Sequence, residues 1–508
     1  MRGDSSPRGA RDAETASLLA DGDARARSWT RATVSSVAAI VASAAFVVLA
    51  TRLSADSTSA RLSLAPGDAD ADAVARSVVD PFCDARSGHL APSVFLLGVE
   101  KCGTSSLFED MTASLPALRK MHARVGDHWE QHKEMRYFDT DGRFVNYGAP
   151  DLHVGLGWSD WLRGHGDACD AVVGDVRRAA GAAPSSSGES PAFGGVPHKH
   201  IDGTPAYFTR GIAAKMARAY DEEMVSPGGA SAKSAIRFVV LTCDPEERAR
   251  KAFAFFKTLD GWAIDGHTYY TRRYATYADW LEDALRLYPD AAKPGGLIDR
   301  WAERRSGEAK DDAAGDETAS EREAMNALAE IVKCSYDDVL REYERAGFDP
   351  SQFLVLPNAF YYEEPEAALR AIARHVGSEF RREGAGGPGA EGGSRMRAAH
   401  ANANGGRKYG ASDAKTLGNL TEGMTAALRE ILRPKMEGLR DMACPRGTVG
   451  PGGGAGAGLG FAAFEDARAR ERFWGNIVPR TSREGECREP EAPADARGGK
   501  TVRRAAGE

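Results

Sequence analysis

Residues 92–106 read PSVFLLGVEKCGTSS, and the fold class follows from how this stretch is built. Ser93 to Val99 is a short apolar run, the pattern of a strand buried on both faces of a parallel sheet. It leads into a glycine-bearing loop, Gly98-Val-Glu-Lys-Cys-Gly103, and then into a helical pattern from Gly103 to Ala113. Two later runs repeat the arrangement. Ile236 to Leu241 precedes a helical pattern from Glu246 to Lys257, and Gln352 to Leu356 precedes one from Glu364 to Val376. Strand, loop and helix in repetition predict an α/β domain, a P-loop-like parallel sheet flanked by helices.

A loop that runs from a strand into a helix can cradle an anion with its backbone N–H groups and the positive end of the helix dipole. Gly98 and Gly103 have the spacing of the nucleotide-triphosphatase loop GxxxxGK[ST], but Thr104 stands where that loop carries lysine. The lysine is Lys101, two residues before the second glycine, which argues against an ATPase or kinase. The loop resembles the 5′-phosphosulfate loop of the sulfotransferases that use PAPS (3′-phosphoadenosine 5′-phosphosulfate). The resemblance implies that Lys101 stabilises the leaving phosphate as a catalytic residue. It also implies that Lys101, Cys102, Gly103, Thr104, Ser105 and Ser106 contact the cofactor.

Three further segments follow in the order the resemblance requires. Lys133-Glu-Met-Arg-Tyr-Phe-Asp139 is similar to the acidic-aromatic motif of the heparan sulfate branch, in which the glutamate is the general base; Glu134 matches it. A positioned carboxylate suits an attacking hydroxyl that must lose a proton. Arg136 replaces the histidine of that motif and is a candidate acceptor contact; His128 and His132 flank it, and His132 is a second candidate base. Next, His153 to Trp161 is similar to a Gly-x-x-Trp-Tyr segment, in which Trp158 could stack on a sugar ring or pack in the core.

Asp202-Gly-Thr-Pro-Ala-Tyr-Phe208 is similar to Glu-Lys-Thr-Pro-x-Tyr-Phe, with Gly203 in place of lysine and Tyr207 as a candidate acceptor contact. The segment IRFVVLTCDPEERARKAFAFFK, residues 236–257, is similar to the family's 3′-phosphate segment. Asp244 looks like an N-cap with Pro245 at the first helical position and Glu247 completing a capping box. Cys243 stands in place of the family arginine and Lys251 in place of its serine, and both are candidate cofactor contacts. Arg407 and Lys408 match a short basic loop that closes over the cofactor phosphates, ahead of a helical stretch from Leu420 to Met442.

The 508 residues carry a net charge of −7, which excludes a globally basic nucleic-acid binder but not a local basic cleft. Seven scattered cysteines contain no CxxC pair, so no zinc site is expected; one or two bridges in an oxidising compartment are compatible with them, in no pairing the spacing decides. Residues 32–51 are rich in Ala, Val and Ser and modestly hydrophobic, and Ala32 to Ala50 carries no charge over about 19 residues, close to the roughly 20 that cross a bilayer. Arginines cluster before this run, which predicts a type II signal anchor with residues 1–31 in the cytosol and the rest lumenal, and the resemblance implies that the lumen is that of the Golgi. A chloroplast transit peptide is the alternative, opposed by Asp4, Asp12, Glu14, Asp21 and Asp23. Asn419-Leu-Thr421 is a glycosylation sequon.

Residues 52–90 read as a disordered stem and 91–445 as the catalytic domain, with insertions near 173–198, 303–323 and 382–406; 446–508 reads as a mostly disordered extension. The whole pattern implies sulfonate transfer from PAPS to a carbohydrate hydroxyl without a metal. The alternatives are a tyrosine or lipid acceptor, or a nucleotide- or glycan-binding relative impaired at Gly203 and Cys243.

Overall fold

The computed structural model describes residues 66–122, 133–135, 137–138, 157–182, 196–227, 231–258, 273–307, 318–381, 414–443 and 460–461. The segment expected to anchor the chain lies outside them, as do His128, His132, Arg136, Arg407 and Lys408. Among the described residues, no helix is long and apolar enough to cross a membrane.

Helix α1 (Pro66–Val79) lies in the stretch expected to be a stem. Ala75, Val79 and Phe82 recur at helical spacing and are buried in the main core, so the folded part begins earlier than composition implied. An antiparallel pair, β1 (Cys83–Asp84) and β2 (His89–Leu90), leads into β3 (Pro92–Gly98), every residue of which is buried. Helix α2 (Thr104–Ser114) returns along the sheet to β4 (Leu118–Lys120). Helices α3 (Trp158–His165) and α4 (Cys169–Ala182) precede β5 (Lys199–Asp202), and a disulfide between Cys83 and Cys169 ties the small β-pair to the start of α4.

After β5 come α5 (Ile212–Arg218), β6 (Arg237–Thr242) and α6 (Pro245–Thr258). A helical layer follows: α7 (Tyr277–Ala291), α8 (Leu297–Ser306), α9 (Ala319–Val332) and α10 (Tyr336–Arg345). Capping boxes start two of these helices, Thr276 with Asp279 for α7 and Thr318 with Glu321 for α9, each satisfying N–H groups that the first turn leaves over. The chain then makes β7 (Phe353–Pro357), the short α11 (Asn358–Glu363), α12 (Pro365–Val376), the long α13 (Glu422–Ala443) and β8 (Gly460–Phe461). β8 pairs with β7, so part of the expected C-terminal extension belongs to the sheet.

The main sheet has six strands in the order β4-β5-β3-β6-β7-β8, and every pairing is parallel. The chain builds to one side of β3 first and then crosses to the other. β3 therefore lies at a topological switch point, where the crevice beyond the strand ends is the usual ligand site of open α/β sheets.

Register is set by side chains as well as hydrogen bonds. Phe95, Phe238 and Phe353 lie opposite one another on β3, β6 and β7, with ring centroids 5.8 and 4.5 Å apart. Slipping any strand by one residue would throw its phenylalanine to the other face. Beneath the crevice, the buried Arg248 of α6 pairs with the buried Glu330 of α9, and it also donates to the carbonyls of Glu100 (3.1 Å) and Glu330 (2.9 Å). Removing one partner of such a pair leaves a buried charge uncompensated, at a typical cost of about 3–5 kcal/mol. Glu330→Gln is therefore expected to lower the urea midpoint by that amount of stability, and an unchanged midpoint would show that the pair does not support the loop from below.

Candidate active site

The segments picked out in the sequence end at the same edge of the sheet. Gly98 closes β3, Asp202 closes β5, and Thr242 closes β6 with Cys243 directly after it. Gly98 has φ +152°, and a Cβ there would lie 2.8 Å from the Leu241 carbonyl oxygen of the neighbouring strand, so the turn out of β3 leaves no room for a side chain. Lys101 adopts the left-handed conformation at φ 71°, the one non-glycine residue to do so among the described residues. Such backbone strain tends to be held at functional loops. Gly103 has φ +100°, and a Cβ on it would run into the Tyr362 hydroxyl.

Helix α2 starts directly after this turn without a side-chain cap. Its first-turn N–H groups have no intrahelical partner by construction. The Ser106 hydroxyl is buried and also finds no hydrogen-bond partner among the described residues. An uncapped helix start, two glycines at positive φ and a buried hydroxyl without a partner among the described residues make a donor set that fits a phosphate. The Lys101 ammonium lies 2.9 Å from the centroid of the Phe255 ring on α6.

The Glu134 segment is stitched to the end of β5. Gly203 N–H donates to the Lys133 carbonyl at 2.7 Å, and Met135 N–H donates to Asp202 Oδ1 at 3.4 Å, so both residues flanking Glu134 are fastened by backbone contacts. The Lys133 ammonium, almost fully buried, donates to Glu134 Oε1 at 2.7 Å and to Thr104 Oγ1 at 3.4 Å. One side chain thus bridges the anion loop and the carboxylate. Asp202 is fully buried; burial pushes its carboxyl up to about 7, against hydrogen bonds from the Thr204 hydroxyl (2.7 Å) and N–H (3.0 Å), from Tyr207 and from Met135.

Other expected site residues are placed differently. Cys243 forms a disulfide with Cys102, their Cα atoms 5.5 Å apart, so neither offers a thiol to a phosphate and the bond instead joins the loop to the end of β6. Tyr336 donates to the Cys243 carbonyl at 3.1 Å behind this bond. Lys251 is half exposed and pairs with Glu247 at 2.6 Å. The Glu247 N–H bonds Asp244 Oδ1 at 2.9 Å, as an N-cap requires.

Trp158 is buried and packs on Trp161 at 5.0 Å and Phe138 at 5.5 Å; Tyr207 is buried beside Phe95 and Phe138. Both belong to the core and offer no ring face to an acceptor, which corrects the expectation that they contact sugar. Ser105 and Asn419 are exposed. Two site features escaped sequence reasoning: the bridging role of Lys133, which no motif assigns, and the Cys102–Cys243 pairing across a sequence separation of 141. Among the described residues, no cluster of His, Cys, Asp and Glu suited to a metal occurs.

No protein-family model matches the chain, and no curated protein matches it. A solved structure, a sulfotransferase from Alicyclobacillus acidocaldarius, is similar at 12% identity, covering 69% of this chain and 95% of that one with a TM-score of 0.36. A likeness that weak carries no functional argument, and the function proposed for this chain rests on its own residues.

The raised Asp202 carboxyl has a measurable consequence. The folded protein holds this proton more tightly than the unfolded chain does. The resulting stability is complete below about pH 4, the ordinary carboxylate range, and is lost as pH rises to about 7. In melting curves, the advantage of wild type over Asp202→Asn is expected to shrink across that interval and then level off; a constant difference would mean that Asp202 is ionised throughout.

Proposed function

We propose that the chain is a sulfotransferase that moves a sulfonate group from PAPS to a hydroxyl of a carbohydrate. The observation that carries this reading is the Lys133 bridge, which sets the carboxylate of Glu134 beside the anion-cradling loop. A proton acceptor next to an anion cradle is what transfer of a charged group to a hydroxyl needs.

In this reading the N–H groups at the start of α2, with Thr104, Ser105 and Ser106, hold the 5′-phosphate. Lys101 stabilises the charge released onto it. Glu134 accepts the proton of the attacking hydroxyl. PAPS supplies an activated sulfonate on a good leaving group, so positioning and charge stabilisation are the protein's task, as in phosphoryl transfer. Arg136, Arg407 and Lys408 are proposed further contacts, the first to the acceptor and the others to the cofactor. The carbohydrate acceptor rests on the likeness of the Glu134 segment to the heparan sulfate branch.

The setting is proposed as the Golgi lumen, with residues 32–51 as a membrane anchor and Asn419 glycosylated. The Cys83–Cys169 and Cys102–Cys243 bonds favour an oxidising compartment. One observation favours a second reading, a binding protein without turnover: Cys243 stands where an arginine would meet the 3′-phosphate, and its sulfur is committed to Cys102.

Labelled PAPS offered with a panel of polysaccharides separates the two. Wild type is expected to label at least one acceptor. Glu134→Gln is expected to lose about 10²–10⁴-fold in rate while PAP, the desulfated product, still raises its melting temperature. Stabilisation by PAP with no labelled acceptor would favour the second reading, and equal rates for both proteins would remove Glu134 as the base.

A further inference from the structure

Lysine 133 carries a buried charge that its structural contacts only partly account for. Its side chain is about 5% exposed, and its ammonium has three N–H donors. Among the described residues, two acceptors are in place, Glu134 Oε1 and Thr104 Oγ1. Burying an ammonium is costly unless its partners are complete. Both of its partners lie at the crevice where Gly98, Gly103 and the start of α2 form the anion cradle.

The neighbouring glycine explains how this side chain reaches its position. A Cβ on Gly203 would lie 3.0 Å from Lys133 Cγ and 2.7 Å from Phe108 Cδ2. The Lys133 stem thus fills the space that a side chain at position 203 would enter, while its carbonyl accepts the Gly203 N–H at 2.7 Å. The backbone of Gly203 is not in the left-handed region, so it is this crowding, and not φ, that selects glycine. A side chain at 203 meets both the Lys133 stem and the buried Phe108 ring, so a long cation can be mounted there only if both are cut back.

We infer that Lys133 is the second cation of the transfer site, delivered from the base motif into the space that Gly203 leaves open, where its remaining donor meets the transferred sulfonate. This rests on the sulfotransferase reading and adds a residue and a spatial exchange to it. A lysine that merely braced Glu134 would be replaceable by any group that holds the carboxylate. A lysine that stabilises the transferring group must present its charge to the crevice, and a lysine mounted at position 203 should do so as well.

The test compares wild type, Lys133→Met, Lys133→Ala and the exchange variant Lys133→Ala/Phe108→Ala/Gly203→Lys, in which both groups that crowd position 203 are cut back, using labelled PAPS and the best acceptor found for wild type. Both single variants are expected to lose about 100-fold or more in kcat, the typical loss when one charge-stabilising donor is removed, with KM for PAPS changed far less. PAP lacks the sulfonate, so it should raise the melting temperature of all four proteins alike, which also shows that each is folded. The exchange variant is expected to recover at least about a tenth of the wild-type rate, again judged against that 100-fold scale.

A Lys133→Met rate within about threefold of wild type, small on the scale of one donor, would overturn the role. So would an exchange variant that binds PAP yet is no faster than Lys133→Ala. A wild type that transfers to no acceptor and is not stabilised by PAP would overturn the sulfotransferase reading and this inference with it, whereas an active wild type with an indifferent Lys133 would overturn the inference alone.

Discussion

The site depends on a close approach of two strands at the end of β3. Gly98 passes so near the Leu241 carbonyl that no side chain fits, and the chain must leave the sheet there in a backbone conformation that ordinary residues avoid. That exit aims α2 back at the crevice, uncapped, and forces Lys101 into a left-handed turn. The in-register phenylalanines of β3, β6 and β7 keep the approach close by preventing slippage. Arg248, paired with Glu330 and bonded to the Glu100 carbonyl, supports the loop from underneath.

Around this turn, parts from distant stretches of chain converge through short contacts. The segment 133–135 is fastened at both sides of Glu134 to the end of β5. β5 contributes Asp202, whose buried carboxyl gathers the Thr204 hydroxyl and the Met135 N–H. The same corner contains Gly203, whose missing side chain makes space for Lys133. Where the linear motif lacks a positive charge at 203, the Lys133 side chain passes beside Gly203 and carries an ammonium to Glu134 and Thr104.

The three long strands were legible because each is an unbroken apolar run followed by turn chemistry, and the structure sets them within a residue of the expected limits. β4, β5 and β8 were not. They are two to four residues long, and Leu118–Lys120 and Lys199–Asp202 are rich in basic and polar residues that carry no period-two pattern. α1 was missed because an Ala/Asp-rich composition resembles a linker unless the spacing of Ala75 and Val79 is weighed. In the site, the loop could be read residue by residue because its glycines and lysine are adjacent in sequence. Trp158 stayed open between sugar and core, and Tyr207 was assigned to the acceptor, because an aromatic residue reads the same in sequence whether its ring meets a sugar or the core. The Cys102–Cys243 bond was beyond reach because their proximity is created only by the pairing of β3 with β6.

That bond also changes how the loop responds to its medium. An anion loop held in shape by ion pairs softens as ionic strength rises, since screening weakens the contacts that bind the ligand and those that shape the cradle together. Here a covalent link joins the loop to the next strand and is indifferent to dissolved ions. The shape of the loop and the attraction it exerts are thereby separated: salt can screen the ammonium of Lys101, while the bond that ties its loop to the end of β6 is unaffected.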